Sequence, residues 1–395
     1  MIQETSRKTG SSTEANSIRV MYLGYYMALG AFMPYINLYY ERAGLSGVQI
    51  GFLAASILVT TSLTAIPWGA IADRFQLHQR ILGAAFVLAP IFIFFLSQVS
   101  SYALMIPLVL AYALSTAPII PLLDGSALEI ARLKRITYGE LRVGGTMGWI
   151  ISVWLVGILI QAFDIHWLFY CYIAFMGLTL VYALSRPPRR GSTQIVLWSN
   201  LRLLITDSSV VFFLVSIFLV AVGSGAVLNF FSLYLDGIGA GEGLIGLAWA
   251  LAAVSEIPVM MYAGALMRRI GSAGLLKLAF LVYAARWLLL SFIESPGLAV
   301  AVQLLHGLSF AAFLTAGVTY LSERTPEGLS TTAQAVFNVV CFGLASMVGA
   351  LLGGYLYDSV GMAALLRVLS LVTVAGLILF WLTARPGRTA YATHA

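Results

Sequence analysis

Charged residues are scarce in this 395-residue chain. They make up 10% of it, against 60% hydrophobic residues, where soluble domains carry about 25% charged and roughly 45–50% apolar residues. So little charge cannot cover the surface of a water-soluble fold of this length, which excludes a cytosolic enzyme. The same composition excludes a disordered or fibrous chain, which needs a polar bias. Cysteine is almost absent: Cys171 and Cys341 lie in separate apolar runs. With four scattered histidines, they form neither a disulfide framework nor a metal cluster, so no metal and no cofactor is expected. There is no Walker-type glycine-rich loop and no close His/Asp/Cys set, which argues against an integral-membrane enzyme. The net charge of +6 is topogenic once its location is mapped, and no nucleic-acid partner is expected.

What the chain does have is long apolar runs. Crossing the ~30 Å hydrocarbon core takes about 20 such residues. Twelve runs, from 18–40 to 362–384, alternate with short polar breaks. Only helices and closed barrels satisfy their backbone in lipid, and these runs are too long for barrel strands. The reading is an all-α integral membrane protein with twelve transmembrane helices in two pseudo-symmetric six-helix bundles. Residues 1–17 are polar, with no apolar stretch before a cleavage site, and read as a cytosolic tail. The bundles are 18–185 and 209–384, joined by a basic, proline-bearing linker at 186–208, with a tail at 385–395. Eighteen of the 22 Lys and Arg fall in the tails and even-numbered connections or at the span ends that adjoin them. The opposite connections hold Arg42 against Glu41, Asp164, Asp236, Glu242, Glu294 and Asp358. Basic loops stay inside, so both termini are cytosolic. Tyr39, Tyr40 and Tyr234, near span ends, read as interfacial anchors.

A shift of 195 residues lays one half on the other. Leu38–Tyr39 meets Leu233–Tyr234, Gly44 meets Gly239, Ile50–Gly51 meets Ile245–Gly246, Gly69 meets Gly264, and Arg74 meets Arg269. At a shift of 194, Asp164 meets Asp358. Parallel repeats with both ends inside suit a midplane site opened alternately to either side, which is the plan of a secondary transporter.

Gly69-Ala-Ile-Ala-Asp73-Arg74, followed by Arg80, resembles the loop signature of the major facilitator superfamily, a conformational gating loop. The spacer Phe-Gln-Leu-His departs from the family, which has a glycine and paired basic residues there. Arg268 stands in the second copy where Asp73 stands in the first.

Ionisable groups at bilayer depth cost ~2.5–3.5 kcal/mol on insertion scales, and each needs a partner and a reason. In the first half these are Asp124, closing the fourth span, and Arg142, opening the fifth. Arg142 and Trp149 are seven residues apart, on one helix face. Gly144 and Gly148 give that helix a flat side for close packing. A guanidinium beside an indole can bind hydroxyls or an anion and stack on a ring, with Asp124 as counter-charge. Glu256 in the eighth span, Arg286 in the ninth and His306 in the tenth could form a proton relay. Arg367 reads as a structural partner of Asp358. Asn37, Asn229, Gln334 and Asn338 are polar span residues that could line a cavity or bridge helices.

The pattern Arg142, Gly145, Gly148, Trp149 resembles the oligosaccharide–proton symporters of the lactose-permease-like branch, which also holds aromatic-acid and nucleoside permeases. Leu305-His306-Gly307 and Gly353-Gly354-Tyr-Leu-Tyr-Asp358 resemble the same branch. The resemblance implies that Arg142 and Asp124 bind sugar hydroxyls, that Trp149 stacks on the ring, and that Glu256, Arg286 and His306 couple the proton. Ser309 and Gln303 stand where that family has an acid and a lysine, which puts the coupling in question. The expectation is an alternating-access carrier, working as a monomer in a prokaryotic plasma membrane. It moves a sugar, nucleoside or aromatic acid with a proton; the alternative is an exporter or an uncoupled facilitator.

Overall fold

The computed structural model describes residues 2–185, 207–325 and 329–384. The expected linker falls outside them except for its last two residues, and the tail at 385–395 lies outside them entirely. The described elements are all helical. The first are α1 (Ile2–Arg42), α2 (Gly47–Phe75), α3 (His78–Leu96), α4 (Tyr102–Thr116), α5 (Ile119–Lys134), α6 (Tyr138–Ala162) and α7 (Trp167–Ser185). Then come α8 (Ser208–Gly237), α9 (Glu242–Leu290), α10 (Pro296–Val302), α11 (Ala312–Ser322), α12 (Ser330–Asn338) and α13 (Ser346–Thr383). Residues 2–17 of the polar segment are helical and continuous with the first apolar run, within α1.

Nine helical stretches among the described residues are long and apolar enough to cross a membrane. The two longest, of 49 and 52 residues, each contain a reversal. Gly271 (φ 74°, ψ 165°) breaks α9, and Gly361 (φ 78°, ψ 170°) breaks α13. That backbone region is open to glycine and to little else. With the apolar run of α1, the arrangement is consistent with twelve crossings. Asp124 does not close a helix, because α5 continues through it to Lys134. Arg135 then ends α5 in a left-handed conformation (φ 55°). A capping box of Thr137 and Glu140 starts α6 two residues later, satisfying two of its free amides.

The described chain divides into two units. The first holds 2–45, 56–185 and 241–250; the second holds 46–55, 207–240, 251–325 and 329–384. In the first, α1 packs along α6 and α7, and α3 along α4 and α7. The expected flat side of α6 lies against α1. A Cβ on Gly144 would run into the carbonyl of Arg19, and one on Gly148 into that of Leu23. One more turn along α6, Ser152 Oγ donates to the Met27 carbonyl at 2.6 Å. Only hydrogen side chains permit two helix backbones to approach this closely. Phe32 anchors the core between Tyr112, Phe169 and Tyr172. In the second unit, α13 packs along α8, with Phe213, Tyr320 and Phe380 in mutual contact.

The repeat reappears as geometry. Gly44 and Gly239 have φ of 88° and 85°. In the second unit, Asp358 accepts hydrogen bonds from the amides of Gly47 (2.6 Å) and Val48 (2.9 Å), the first turn of α2. In the first unit, the first turn of α9 is met in like manner: Gln161 Oε1 accepts from the Gly243 amide at 2.9 Å. Beside it, Arg42 pairs with Glu242 at 2.8 Å. The exposed amides and positive dipole end of a helix favour such acceptors.

Two expectations are corrected here. Asp358 is engaged by α2 and not by Arg367, which lies over the Phe292 ring at 4.7 Å, 3.4 Å from Ser291 Oγ. Tyr39, Tyr40 and Tyr234 are not interfacial anchors but buried core residues. Tyr234 points its hydroxyl at the carbonyls of Leu290 and Ile293, at 2.8 and 3.0 Å, while Tyr39 meets Phe169 edge-on at 4.8 Å.

Candidate functional site

The first unit assembles a polar cluster from three helices. α1 contributes Tyr22 and Tyr26, one turn apart; α5 contributes Asp124; α6 contributes Tyr138, Arg142 and Trp149. Asp124 accepts hydrogen bonds from Tyr22 and, at 2.8 Å, from Tyr138. Arg142 donates through one terminal nitrogen to the Tyr138 oxygen and through the other to the Tyr26 oxygen, both at 2.8 Å. A phenol can donate and accept at once. Tyr138 therefore links carboxylate to guanidinium, and the expected direct Asp124–Arg142 pairing is replaced by a three-membered chain. The cause is local: Tyr138 precedes Arg142 by four residues and so lies beside it on the helix face.

Trp149 lies two turns beyond Arg142 and is half-buried. It meets Trp249 of the same unit edge-to-face, with ring centroids 6.5 Å apart. The cluster thus offers a guanidinium, a carboxylate, three phenols and two indoles. Opposite formal charges on Asp124 and Arg142 leave it electrically balanced. Asn37 is buried on α1, roughly 16 Å along the helix from Tyr26 at 1.5 Å per residue, and does not join the cluster.

The second unit brings together the three residues expected there. His306 sits between a 3₁₀ turn (Gln303–Leu305) and a π-helical turn (Gly307–Ala311). Its Nδ1 is 2.8 Å from Arg286, and its Nε2 is 3.3 Å from a Glu256 carboxyl oxygen. Arginine can only donate, so Nδ1 accepts and Nε2–H faces the carboxylate. A neutral imidazole therefore separates an anion from a cation. Arg286 also donates to the buried Ser309 hydroxyl at 2.7 Å, so the serine that replaces the resembled family's acid still serves the arginine. Phe310 stacks on His306, with centroids 5.3 Å apart at 17°. Asn229 bonds back to the Gly225 carbonyl of its own helix at 2.8 Å. Asn338 and Gln334 are exposed on α12; Asn338 immediately precedes a second π-helical turn (Val339–Ala345).

At the end of α2, Asp73 meets His78 Nε2 at 2.7 Å, and Gln76 donates to the Asp73 carbonyl at 2.7 Å. Gln76 takes the left-handed φ of 54° at the place where the resembled loop has glycine. Gly69 is buried, and Arg74 lies over the adjacent Phe75 ring at 5.6 Å. Among the described residues, no three His, Cys, Asp or Glu are grouped to hold a metal ion.

Tyr22, Tyr26, Tyr138 and Trp249 escaped sequence reasoning. The spacing of Tyr138 from Arg142, and of Tyr22 from Tyr26, is the signal that could have found the tyrosines.

The model of the MFS_1 like family matches residues 16–368. The maltose permease of Geobacillus stearothermophilus is 30% identical over 388 residues, 97% of this chain and 98% of that protein. The lactose permease of Klebsiella oxytoca is 23% identical over 390 residues, 91% of this chain and 92% of that protein. The crystal structure of the nucleoside transporter NupG superposes with a TM-score of 0.83 at 14% identity, covering 94% of this chain and 99% of that one, a likeness of fold.

Proposed function

The chain belongs to the MFS_1 like family of the major facilitator superfamily and is an integral-membrane transporter of small solutes, not an enzyme; from that premise we propose that it carries a hydroxylated ring solute, a sugar before any other, by alternating access. The observation that carries this reading is the balanced chain Asp124–Tyr138–Arg142 beside Trp149 and Trp249. A sugar needs donors and acceptors for its hydroxyls and an aromatic plate for its apolar ring face. The cluster supplies both. An aromatic acid would add a negative charge to a site where Arg142 already has Asp124 to balance it, and leaving a charge unmatched in low dielectric is costly. Kinship to a maltose permease along nearly the whole chain supports the same choice.

The solute moves with a proton, and Glu256 through His306 carries it. The neutral imidazole between Glu256 and Arg286 is poised to accept a proton from one side and release it to the other. Ser309 cannot do this, so the carrier works without the acid that the resembled symporters use. Both termini face the cytosol, and the protein acts as a monomer in a bacterial plasma membrane.

The test is solute-induced proton flux in proteoliposomes, comparing maltose, a nucleoside and phenylpropionate. Alkalinisation outside on adding maltose, lost in Arg142→Ala and in Glu256→Gln, is the expected result. Maltose exchange that persists in Glu256→Gln, with no proton movement in the unaltered protein, makes it an uncoupled facilitator. A response to phenylpropionate alone overturns the sugar reading.

A further inference from the structure

The first unit carries an apolar furrow between α3 and α7. Two adjoining cavities of about 660 and 470 Å³ share Val87 and Leu180 along it. They run from Arg80 at one end of α3 to Phe94 and Phe95 at the other. At 1.5 Å per residue the lined stretch of α3 is about 24 Å long. One leaflet supplies about half of the ~30 Å hydrocarbon core, so the furrow accepts a fatty acyl chain along its length. Gly83 and Gly177 line it, and a Cβ on either would meet nothing within 4 Å. The groove exists because these two side chains are missing.

The mouth is basic. Arg80 is exposed there, and among the described residues it has no ion pair or hydrogen bond. Elsewhere in this unit Arg132 pairs with Glu129 and Lys134 with Glu14, whereas the exposed Arg74 and Arg135, like Arg80, have no ion pair among the described residues. What distinguishes Arg80 is the apolar trough behind it, whose lining it joins.

The second unit repeats the device. A cavity of about 360 Å³ lies between the second leg of α9 and the end of α13, with Lys277 and Trp381 among its lining. The 195-residue shift lays Leu82, Gly83 and Ala183 of the first furrow on Lys277, Leu278 and Ile378 of the second. Lys277 likewise has no ion pair among the described residues. The two grooves are repeat-related although their cations are not, Arg80 falling on Leu275. Each has a cation without an ion pair among the described residues, which calls for an occupant with an apolar tail and an anionic head.

We infer that the α3/α7 furrow binds an anionic phospholipid, its acyl chain along Gly83 and Gly177 and its phosphate on Arg80, and that the groove at Lys277 is the second copy of this site. Lipid bound here holds α3 to α7 from outside and leaves the Arg142 cluster untouched.

Native mass spectrometry of the full-length protein tests this, with phosphatidylglycerol and phosphatidylcholine of identical palmitoyl-oleoyl chains as probes. One basic residue near an anionic lipid surface corresponds to about a fivefold preference. The unaltered protein should retain phosphatidylglycerol about fivefold over phosphatidylcholine at each site. Arg80→Ala with Lys277→Ala should erase that preference while phosphatidylcholine retention stays unchanged. Gly83→Leu, which fills the trough, should lower retention of both lipids. An undiminished preference in the double alanine variant overturns the proposal, as does its loss on adding soluble glycerol phosphate, which would make free phosphate the ligand. Neither cation has an ion pair to lose among the described residues, so the alanine variants decide the matter even if Gly83→Leu does not fold.

Discussion

Glu256→Gln is the most informative single change, because it removes a charge and keeps the shape. The contacts from carboxylate through imidazole to guanidinium place the two formal charges roughly 8 Å apart. At an effective dielectric of about 20 their attraction is about 2 kcal/mol. Arg286 is buried at 3% exposure, so its charge has little recourse to water, and loss of Glu256 falls on folding stability. The change should cost about 2 kcal/mol. For a unit of this size that is a melting-temperature drop of about 4–8 °C. Cys171 and Cys341 are both free and buried, so a thiol-reactive fluorogenic dye reports unfolding of the detergent-solubilised protein without an introduced label. In an Arg286→Met background the cation is gone, and Glu256→Gln should then cost under ~0.5 kcal/mol, the limit of additivity between independent sites. An equal cost in both backgrounds would refute the charge chain. No cost in either would mean that Glu256 contributes nothing to holding Arg286.

Tyr138→Phe removes a donor to Asp124 and an acceptor for Arg142. A hydrogen bond to a charged group is worth about 1.5–3 kcal/mol, so the KM for maltose counterflow should rise roughly 10–100-fold; an unchanged KM would place the solute elsewhere. Gly148→Ala drives a Cβ into the Leu23 carbonyl and should destabilise the protein by about 1–3 kcal/mol, read as an earlier dye transition. Gly361→Ala meets no neighbour within 4 Å, so its cost is the backbone's alone, about 1–3 kcal/mol; a melt identical to the unaltered protein would show that the reversal tolerates a side chain.

Much of this was legible because membrane insertion punishes exceptions. Glu256, Arg286 and His306 stood out as ionisable residues in apolar runs, and the structure joins them. The Gly144–Gly148 face was legible for a similar reason, as two small residues one turn apart. Tyr22, Tyr26 and Tyr138 were not, because a phenol is half apolar and carries no formal charge to betray it among 19 tyrosines. The breaks at Gly271 and Gly361 were legible as gaps between apolar runs, but which glycine turns the chain was not, among 37 of them. The π-helical turns that follow His306 and Asn338 leave no mark in composition. The partner of Asp358 was misread because charge suggested Arg367, whereas the free amides of a helix start are as good a complement and lie far off in sequence.

That last contact has a bearing on how the chain is made. Asp358 closes over amides 311 residues earlier in the sequence, while its counterpart Gln161 reaches Gly243 across only 82. A ribosome delivers residues in order, and domains settle as they emerge. The start of α9 finds its acceptor as soon as it is synthesised, because α6 is already in place. The start of α2 waits, its amides uncapped, until Asp358 has been synthesised and inserted. The start of α2 is therefore synthesised early and completed late, secured by a residue made after eleven of the twelve expected crossings.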